Sequence, residues 1–385
     1  MIKTLSAFTL EVDEVDLAVS EILEQLDMPN NLLSHSVGTL TCSVDFLQTG
    51  VVKALCDKLP FDVVGTTTFG AGTNGAADLD ILTLFVLTSD DVSFATVMTE
   101  PLADEQESHI KTAYDSAAAI LPEKPSLLLV YVPMLNHVGG EYLVECINKV
   151  ADGVPIFGTL TCDHNFDFHE ACVIRNGEHA RDRMAMILMS GPVNPRFFHV
   201  AVPEENFQKQ QDVITASDGN FLKEVNNVKV VDYLKSIGLA PDGRLEGAKA
   251  VPIVVNFNDG TPPVTRGFYM ITPEGYAVCG GKMPVNGTFS LGSMDYDDVL
   301  SSAIKQIEEI TGAEDNHGML MVSCIVRTFA LDADPMAEAE VVRERLGDRV
   351  PYQLCYSGGE ICPLPDGSKN LTNLFHTFSF VVCMF

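Results

Sequence analysis

The chain has 385 residues, 46% of them hydrophobic and 20% charged, a composition typical of a folded protein with two or three domains. Its 53 acidic and 24 basic side chains give a net charge of −29, so nucleic acid and anionic membranes are not expected as partners. The longest apolar run, residues 127–135, contains Pro133 and is too short to span a bilayer.

The cysteines and the N-terminal residues indicate the cellular compartment in which the protein is expected. The 10 cysteines occur singly, without CxxC pairs, and several lie in strand-like apolar runs, where they are typical of buried thiols in a reducing compartment. The apolar run at residues 5–10 is too short for a secretory signal and has no cleavage pattern. We therefore expect an acidic cytoplasmic protein without membrane insertion.

The first part of the chain alternates between helix and strand patterns. Residues 11–26 have apolar positions at helical spacing with acidic residues between them, which predicts an amphipathic helix. A run at residues 32–38, interrupted by polar side chains, predicts a strand, and Asp45 begins the next helix. Two further strands are predicted, one around Gly65 and one at residues 80–87.

The middle of the chain repeats this order. A second acidic helix is predicted at residues 101–120, and residues 127–132 form a continuously apolar run, as expected for a strand covered on both faces. Leu143, Ile147 and Val150 then lie on one face of a helix, because they are spaced at i, i+4 and i+7. This second unit ends near residue 203.

A polar segment at residues 204–227 marks the predicted domain boundary, which divides the chain into residues 1–205 and 206–385. Short apolar runs at residues 250–291 are separated by turn-forming pairs, which predicts an antiparallel meander. A strand at residues 319–326 then begins a third unit.

Three strand-end turns resemble one another, at residues 61–70, 154–163 and 350–360. Each is an apolar, β-prone run that breaks into small and hydroxyl-bearing residues, and each follows a strand and a helix and precedes another strand. We therefore predict an α/β fold of repeated β-α-β-β units that form mixed sheets with covering helices, in two domains. Two sheets packed together with helices outside, or helices on both faces of each sheet, would both cover the apolar strands.

Five segments resemble, in order, motifs of the FIST sensory domain family: residues 64–70, 155–163, 233–238, 323–327 and 359–363. Two positions depart from the family pattern, Thr159 where a second glycine is usual and His376 where asparagine is more usual. The resemblance covers nearly the whole chain. It implies an N-terminal and a C-terminal FIST part and a sensor that binds small molecules such as amino acids and signals through a partner protein.

The expected ligand site consists of the strand-end turns with Arg327 and Glu360. The small, hydroxyl and aromatic residues that contribute to it are Gly65, Thr66, Thr67, Thr68, Gly158, Thr159, Thr161, Tyr356, Gly358 and Gly359. Open backbone N–H groups and Arg327 would hold a carboxylate, while Glu360 would meet a ligand amine or pair with Arg327. The expected ligand is therefore a small carboxylate or an amino acid.

Two other patterns carry less weight. Residues 70–75 match GxGxxG, but a strand rather than a helix follows them, so a nucleotide site is not expected. Cys162, His164, His169 and Cys172 are plausible zinc ligands, although their spacing matches no compact zinc motif. We expect neither a cofactor nor a metal.

The alternative function is that of a hydrolase or another enzyme. Thr66, Ser323 and Cys324 offer nucleophilic groups near the turns, and several histidines offer bases. The chain has no GxSxG motif, and the sequence places no base beside a nucleophile. A binding protein without a catalytic residue is therefore the favoured interpretation.

Overall fold

The structure is a computed structural model that describes residues 2–135, 138–165, 168–243, 245, 251–312, 316–366 and 370–385. Its strands form three six-stranded sheets and one seven-stranded sheet. None of the helices in these ranges combines the length and the apolar composition needed to cross a bilayer.

The first unit begins with a strand that the sequence analysis did not predict. Its elements are β1 (Ile2–Thr9), α1 (Val15–Leu26), α2 (Met28–Asn31), β2 (His35–Cys42), α3 (Asp45–Gln48), α4 (Val51–Cys56), β3 (Asp62–Thr67), the hairpin β4 (Ala71–Gly72) and β5 (Ala77–Asp78), and β6 (Leu82–Ser89). β2 and β3 are parallel, and β6 returns antiparallel between β1 and β2.

The second unit has the same order. Its elements are β7 (Ser93–Met98), α5 (Gln106–Ala118), β8 (Leu127–Val132), α6 (Gly140–Ala151), β9 (Ile156–Leu160), the hairpin β10 (Val173–Arg175) and β11 (Glu178–Ala180), and β12 (Ala185–Ser190). The parallel pair is β8 with β9, and β12 lies antiparallel between β8 and β7.

A separate sheet interrupts the third unit after its first strand, β13 (Arg196–Val200). The inserted segment contains β14 (Asp212–Asp218), β15 (Phe221–Val225), β16 (Val228–Lys229), α7 (Val230–Ser236), β17 (Pro252–Asn256), β18 (Val264–Ile271), β19 (Ala277–Cys279) and β20 (Thr288–Leu291). The pairings within this sheet are antiparallel, in the order β14-β20-β17-β18-β19-β15-β16, and β14 also pairs with β15. Within residues 250–291, β20 pairs with β17 rather than with β19, so these strands do not follow the order of a simple meander. We call this seven-stranded sheet the inserted sheet.

The third unit then continues with the same elements as the first two. They are α8 (Tyr296–Thr311), β21 (Met319–Cys324), α9 (Ala337–Leu346), β22 (Tyr352–Ser357), the hairpin β23 (Glu360–Pro365) and β24 (Leu371–His376), and β25 (Phe380–Met384). A single-turn 3₁₀ helix lies at Glu204–Asn206, and a longer one at Ile325–Ala330 follows β21.

The three units exchange their hairpins in a cycle. The hairpin of the first unit, β4–β5, pairs with β22 of the third, the hairpin of the second unit pairs with β3 of the first, and that of the third pairs with β9 of the second. The strand orders are β1-β6-β2-β3-β10-β11, β7-β12-β8-β9-β23-β24 and β13-β25-β21-β22-β4-β5. Each six-stranded sheet is therefore completed by a neighbouring unit.

The apolar residues of each sheet divide between two cores. Leu129 in β8 and Leu320 in β21 face a central core shared by all three sheets. Their chain neighbours Leu128 and Met321 face outer cores that are covered by α5 and α6 or by α8 and α9. These strands are apolar at every position because both of their faces are buried.

This arrangement confirms the predicted α/β class of repeated units with covering helices. It is neither of the two packings considered from the sequence, because three sheets, rather than two, enclose one core and carry their helices on the outside. The boundary between residues 205 and 206 stays a prediction.

Candidate functional site

The strand-end turns of the three units meet one another through hydrogen bonds. Turn 1 comprises residues 66–70 and turn 2 residues 159–163. The hydroxyl of Thr67 donates to the carbonyl oxygen of Cys162 at 2.8 Å, and the Cys162 amide donates back to the Thr67 carbonyl at 3.3 Å. The hydroxyl of Thr161 accepts from the Met134 amide at 3.0 Å. These hydroxyls satisfy backbone groups that would otherwise be buried without partners.

Turn 3, residues 356–360, closes the set. The Thr68 hydroxyl donates to the carbonyl oxygen of Tyr356 at 2.6 Å, and the Tyr356 amide donates to Gly70 at 3.1 Å. The amide of Gly358 donates to Leu160 in turn 2 at 3.3 Å. The structure therefore brings the predicted turn residues together, and their observed contacts join the three units.

Thr66 and Thr159 occupy equivalent positions in the first two units. Each hydroxyl donates to the carbonyl oxygen of the next residue at 3.0 Å, and each side chain is almost fully buried. The preceding residues, Gly65 and Gly158, pack directly against a neighbouring strand. A ligand-binding role for these turn residues stays a prediction.

Arg327 is completely buried in the 3₁₀ helix after β21. Its Nε and Nη2 donate to Oε1 of Glu338 on α9, at 3.0 Å and 2.5 Å, and Nη2 also donates to the hydroxyl of Ser302 at 2.9 Å. The partner of Arg327 is thus Glu338, and the predicted pairing with Glu360 is wrong. The physical reason is that α9 places a buried carboxylate nearer, and a buried charge requires a partner.

Glu360 is also completely buried, at the start of β23. Its carboxyl group accepts from the hydroxyl of Ser357 at 3.0 Å and from that of Ser379 at 2.7 Å. Burial raises the pKa of Glu360 to about 8, against the opposing effect of these hydrogen bonds. The carboxyl group is therefore mostly protonated at neutral pH.

A cleft of about 1470 Å³ lies between the inserted sheet and the third unit. Its walls come from β13 and the segment after it, from α8, and from strands of the inserted sheet. His199, Thr265 and Ser302 line it, and Lys209 and Lys305 bring positive charge. Ser302 connects the cleft to Arg327, because it accepts a hydrogen bond from the guanidinium.

Two imidazole rings lie where the cleft reaches the protein interior. The ring centroids of His199 and His376 are 4.5 Å apart. Burial lowers the pKa of His199 to about 4, with a further lowering by the nearby Arg327, and burial holds the pKa of His376 well below its usual value. Both rings are neutral at physiological pH. Sequence reasoning missed His199, although a histidine in the strand-like run 196–200 was a usable signal.

Comparison with protein families identifies the chain. A FIST N domain model matches residues 36–228, and a FIST C domain model matches residues 231–363. The chain belongs to the FIST family. FIST domains are generally sensory domains that bind small ligands, which confirms the resemblance found in the sequence.

Other comparisons add little to the FIST assignment. No curated protein sequence matches this FIST chain. Among solved structures, the crystal structure of a cyanuric acid hydrolase from A. caulinodans is similar, at 9% identity and a TM-score of 0.39, over 100% of this chain and 98% of that chain. Similarity at that level has no bearing on the activity.

The cleft spans both parts of the FIST architecture. His199 and Lys209 belong to the segment matched by FIST N, whereas Thr265, Ser302 and Lys305 belong to the segment matched by FIST C. A molecule in the cleft would therefore contact both parts at once.

The other candidate sites from the sequence take different structures. Residues 70–75 form β4 and the following turn, and the next element is the strand β5. Cys162, His169 and Cys172 do not converge with His164. In the described part of the chain, the group of potential metal ligands that lie close together is His164 with Asp45 and Asp80, both exposed.

The thiols and hydroxyls near the turns are held in unreactive forms. Burial raises the pKa of Cys324 and that of Cys162 well above the usual range, so both remain thiols at neutral pH. The hydroxyl of Ser323 donates to the carboxylate of Glu338 at 2.5 Å. A nucleophile needs a base to accept its proton and access to a substrate. Ser323 has a carboxylate beside it, but the side chains of Ser323 and Glu338 are both fully buried.

Proposed function

We propose that this FIST protein binds a small carboxylate or an amino acid in the cleft and signals through a partner protein in the cytoplasm. The observation that carries the proposal is the cleft itself, which is lined by both FIST segments and reaches the buried Arg327 through Ser302. Clefts between structural parts are common positions for small ligands. We place the ligand site in the cleft rather than at the turns, because the turn hydroxyls already bond to the backbone.

The charges along the cleft fit such a ligand. Lys209 and Lys305 are both exposed at its wall and are among only 24 basic residues in a chain of net charge −29. Glu204 and Glu205 lie along the same cleft and could receive an ammonium group. A ligand with a carboxylate end is therefore attracted to the cleft more strongly than to the acidic remainder of the surface.

Binding in this position provides a route to signalling. A ligand that contacts β13 and α8 on one side and the inserted sheet on the other favours the arrangement in which both sides reach it. A partner protein that recognises that arrangement would detect the ligand. Ten unpaired cysteines support a reducing compartment for this process.

The proposal is tested by calorimetric titration and thermal melting of the full chain with a panel of small carboxylates and amino acids. A binding member of the panel raises the melting temperature by mass action. Replacing both Lys209 and Lys305 by Ala should weaken its binding by about 3- to 10-fold, because two exposed ion pairs contribute modestly. Lys149→Ala is the matched control, since Lys149 is exposed and pairs with Glu107 on another surface. Failure of every member to bind would refute the proposal.

A further inference from the structure

The hydrogen-bonding state of His376 can be assigned from its surroundings. Its Nε2 lies 2.9 Å from the carbonyl oxygen of Cys362, and a carbonyl oxygen can only accept. Nε2 therefore carries the proton, and Nδ1 is an acceptor. Nδ1 is buried and has no donor among the described residues. A buried acceptor without a donor is unfavourable, so a hydrogen-bond donor that reached Nδ1 would be stabilised there.

Two other buried polar atoms near the cleft have no hydrogen-bond partner among the described residues. Nη1 of Arg327 is buried and unpaired within the described structure, although Nε and Nη2 of the same side chain are fully used. Nε2 of His199, which donates or accepts according to the tautomer, is likewise buried and unpaired among the described residues, and its ring lies against that of His376. The positive charge of Arg327 also lowers the pKa of His199. His199 and Ser302 line the cleft. Behind them lie the His376 ring, against His199, and the Arg327 guanidinium, bonded to Ser302, and each carries an unpaired atom.

The charges in this region cancel. Arg327 is paired with Glu338, and Arg266, which acts on His376, is paired with Glu141 at 3.0 Å. Both imidazoles are neutral, and Glu360, directly opposite His376 in the β23–β24 register, is mostly protonated. A bare carboxylate placed here would lose its hydration without meeting an unpaired positive charge. The region is polar and neutral.

We propose that the region behind His199, with Arg327 Nη1 and His376 Nδ1, is a subsite for a neutral group that both donates and accepts hydrogen bonds, such as a primary amide or a hydroxyl. This inference rests on the proposed function: the carboxylate of the ligand stays in the cleft near the lysines, and its neutral polar end enters the subsite. The amide N–H donates to His376 Nδ1, and the amide oxygen accepts from Arg327 Nη1. The ligand class is thereby narrowed to carboxylates that carry an amide or hydroxyl group, of which glutamine and asparagine are the simplest amides.

The experiment compares pairs of similar size that differ in charge. Glutamine and glutamate, and asparagine and aspartate, are titrated into the full chain at neutral pH. The amide of at least one pair should bind at least about 10-fold more tightly than its acid, because the acid lacks the donor and brings an unpaired charge. His376→Phe should reduce that preference to less than about 3-fold, since a planar aromatic ring is kept and the acceptor is removed.

Two further variants keep the outcome decidable. If His376→Phe does not fold, His376→Leu removes the same acceptor with a smaller side chain, and His179→Phe, at an exposed histidine of β11, is the control that should keep the preference. Equal or tighter binding of the acids, or a preference unchanged in folded His376→Phe, overturns the subsite and indicates that a water molecule satisfies these atoms. Either result leaves the cleft proposal standing if a carboxylate still binds. Binding of no carboxylate refutes both.

Discussion

Gly65 in β3 and Gly158 in β9 hold the same position in two of the three sheets. A Cβ atom added at Gly65 would lie 1.9 Å from the carbonyl oxygen of Leu40, and one at Gly158 would lie 2.0 Å from that of Val130. In both sheets the carbonyl belongs to the residue paired with the glycine in the adjacent parallel strand. The two strands approach more closely than a side chain permits, which explains the glycine in both turn motifs.

Gly65→Ala should therefore destabilise the fold by about 3 kcal/mol or more, because a backbone contact cannot be relieved by a side-chain rotation. Urea denaturation measures the change in the free energy of unfolding. Gly139→Ala is the control, since an added Cβ there meets no atom within 4 Å. Equal stability of both variants would show that β2 and β3 can separate without penalty.

Arg327→Ala should destabilise the protein by about 3–5 kcal/mol, because it leaves the carboxylate of Glu338 buried without its cation. The double variant Arg327→Met, Glu338→Gln should recover much of that loss by removing both charges. Arg343→Ala, which breaks a partly exposed pair with Glu340, should cost less than about 1 kcal/mol. A stable Arg327→Ala protein would mean that Glu338 finds another partner or becomes protonated.

Glu360 should make stability depend on pH. Its pKa is raised from 4.5 to about 8 in the folded protein, so the folded state binds more protons than the unfolded state between these values. Stability from this group is present at low pH and is lost as pH rises toward 8, by at most about 1.4 kcal/mol per pH unit. The free energy of unfolding, measured by urea denaturation at several pH values in this window, should fall less steeply with pH for Glu360→Gln than for the wild type. Parallel curves would contradict a protonated Glu360.

The cysteines should react slowly in the native protein. Nine are buried, and burial together with the neighbouring Asp57 raises the pKa of the partly exposed Cys56 to about 11. Its thiolate fraction at neutral pH is then about 100-fold below that of a free thiol. Iodoacetamide labelling followed by mass spectrometry should modify Cys56 first and the others only after denaturation. A faster thiol elsewhere, protected by a ligand, would support the enzyme alternative.

The strongest predictions from the sequence came from residues buried on two faces. Residues 127–132 were predicted as a fully covered strand, and β8 has these bounds, because an uninterrupted apolar run suits few other environments. The run at residues 32–38, interrupted by polar side chains, predicts a strand that begins and ends earlier than β2, which is His35–Cys42 and includes Thr39 and Thr41. The structure buries them by pairing Thr41 with the Thr83 hydroxyl at 2.7 Å and Thr39 with Gln353 at 2.8 Å.

The contacts of the site were less accessible to sequence reasoning. Arg327 stands out in the sequence as an arginine at the end of an apolar strand, and its ligand-binding role stays a prediction. Its partner Glu338 lies on a helix whose position depends on the packing of the whole third unit. His199 and His376 lie far apart in the chain, and their rings meet because β13 and β24 approach from different sheets. A local sequence pattern does not predict a contact between residues so far apart in the chain.

The exchanged hairpins determine what happens when the chain is divided into two fragments. A cut between residues 228 and 231, where the two family segments meet, would leave β9 without its neighbour β23 in one fragment and β22 without β4 in the other. Each fragment would then present open strand edges, which favour aggregation when alone and mutual recognition when together. We therefore expect the two fragments to be soluble only when they are expressed together, because each supplies the strands that cover the open edges of the other.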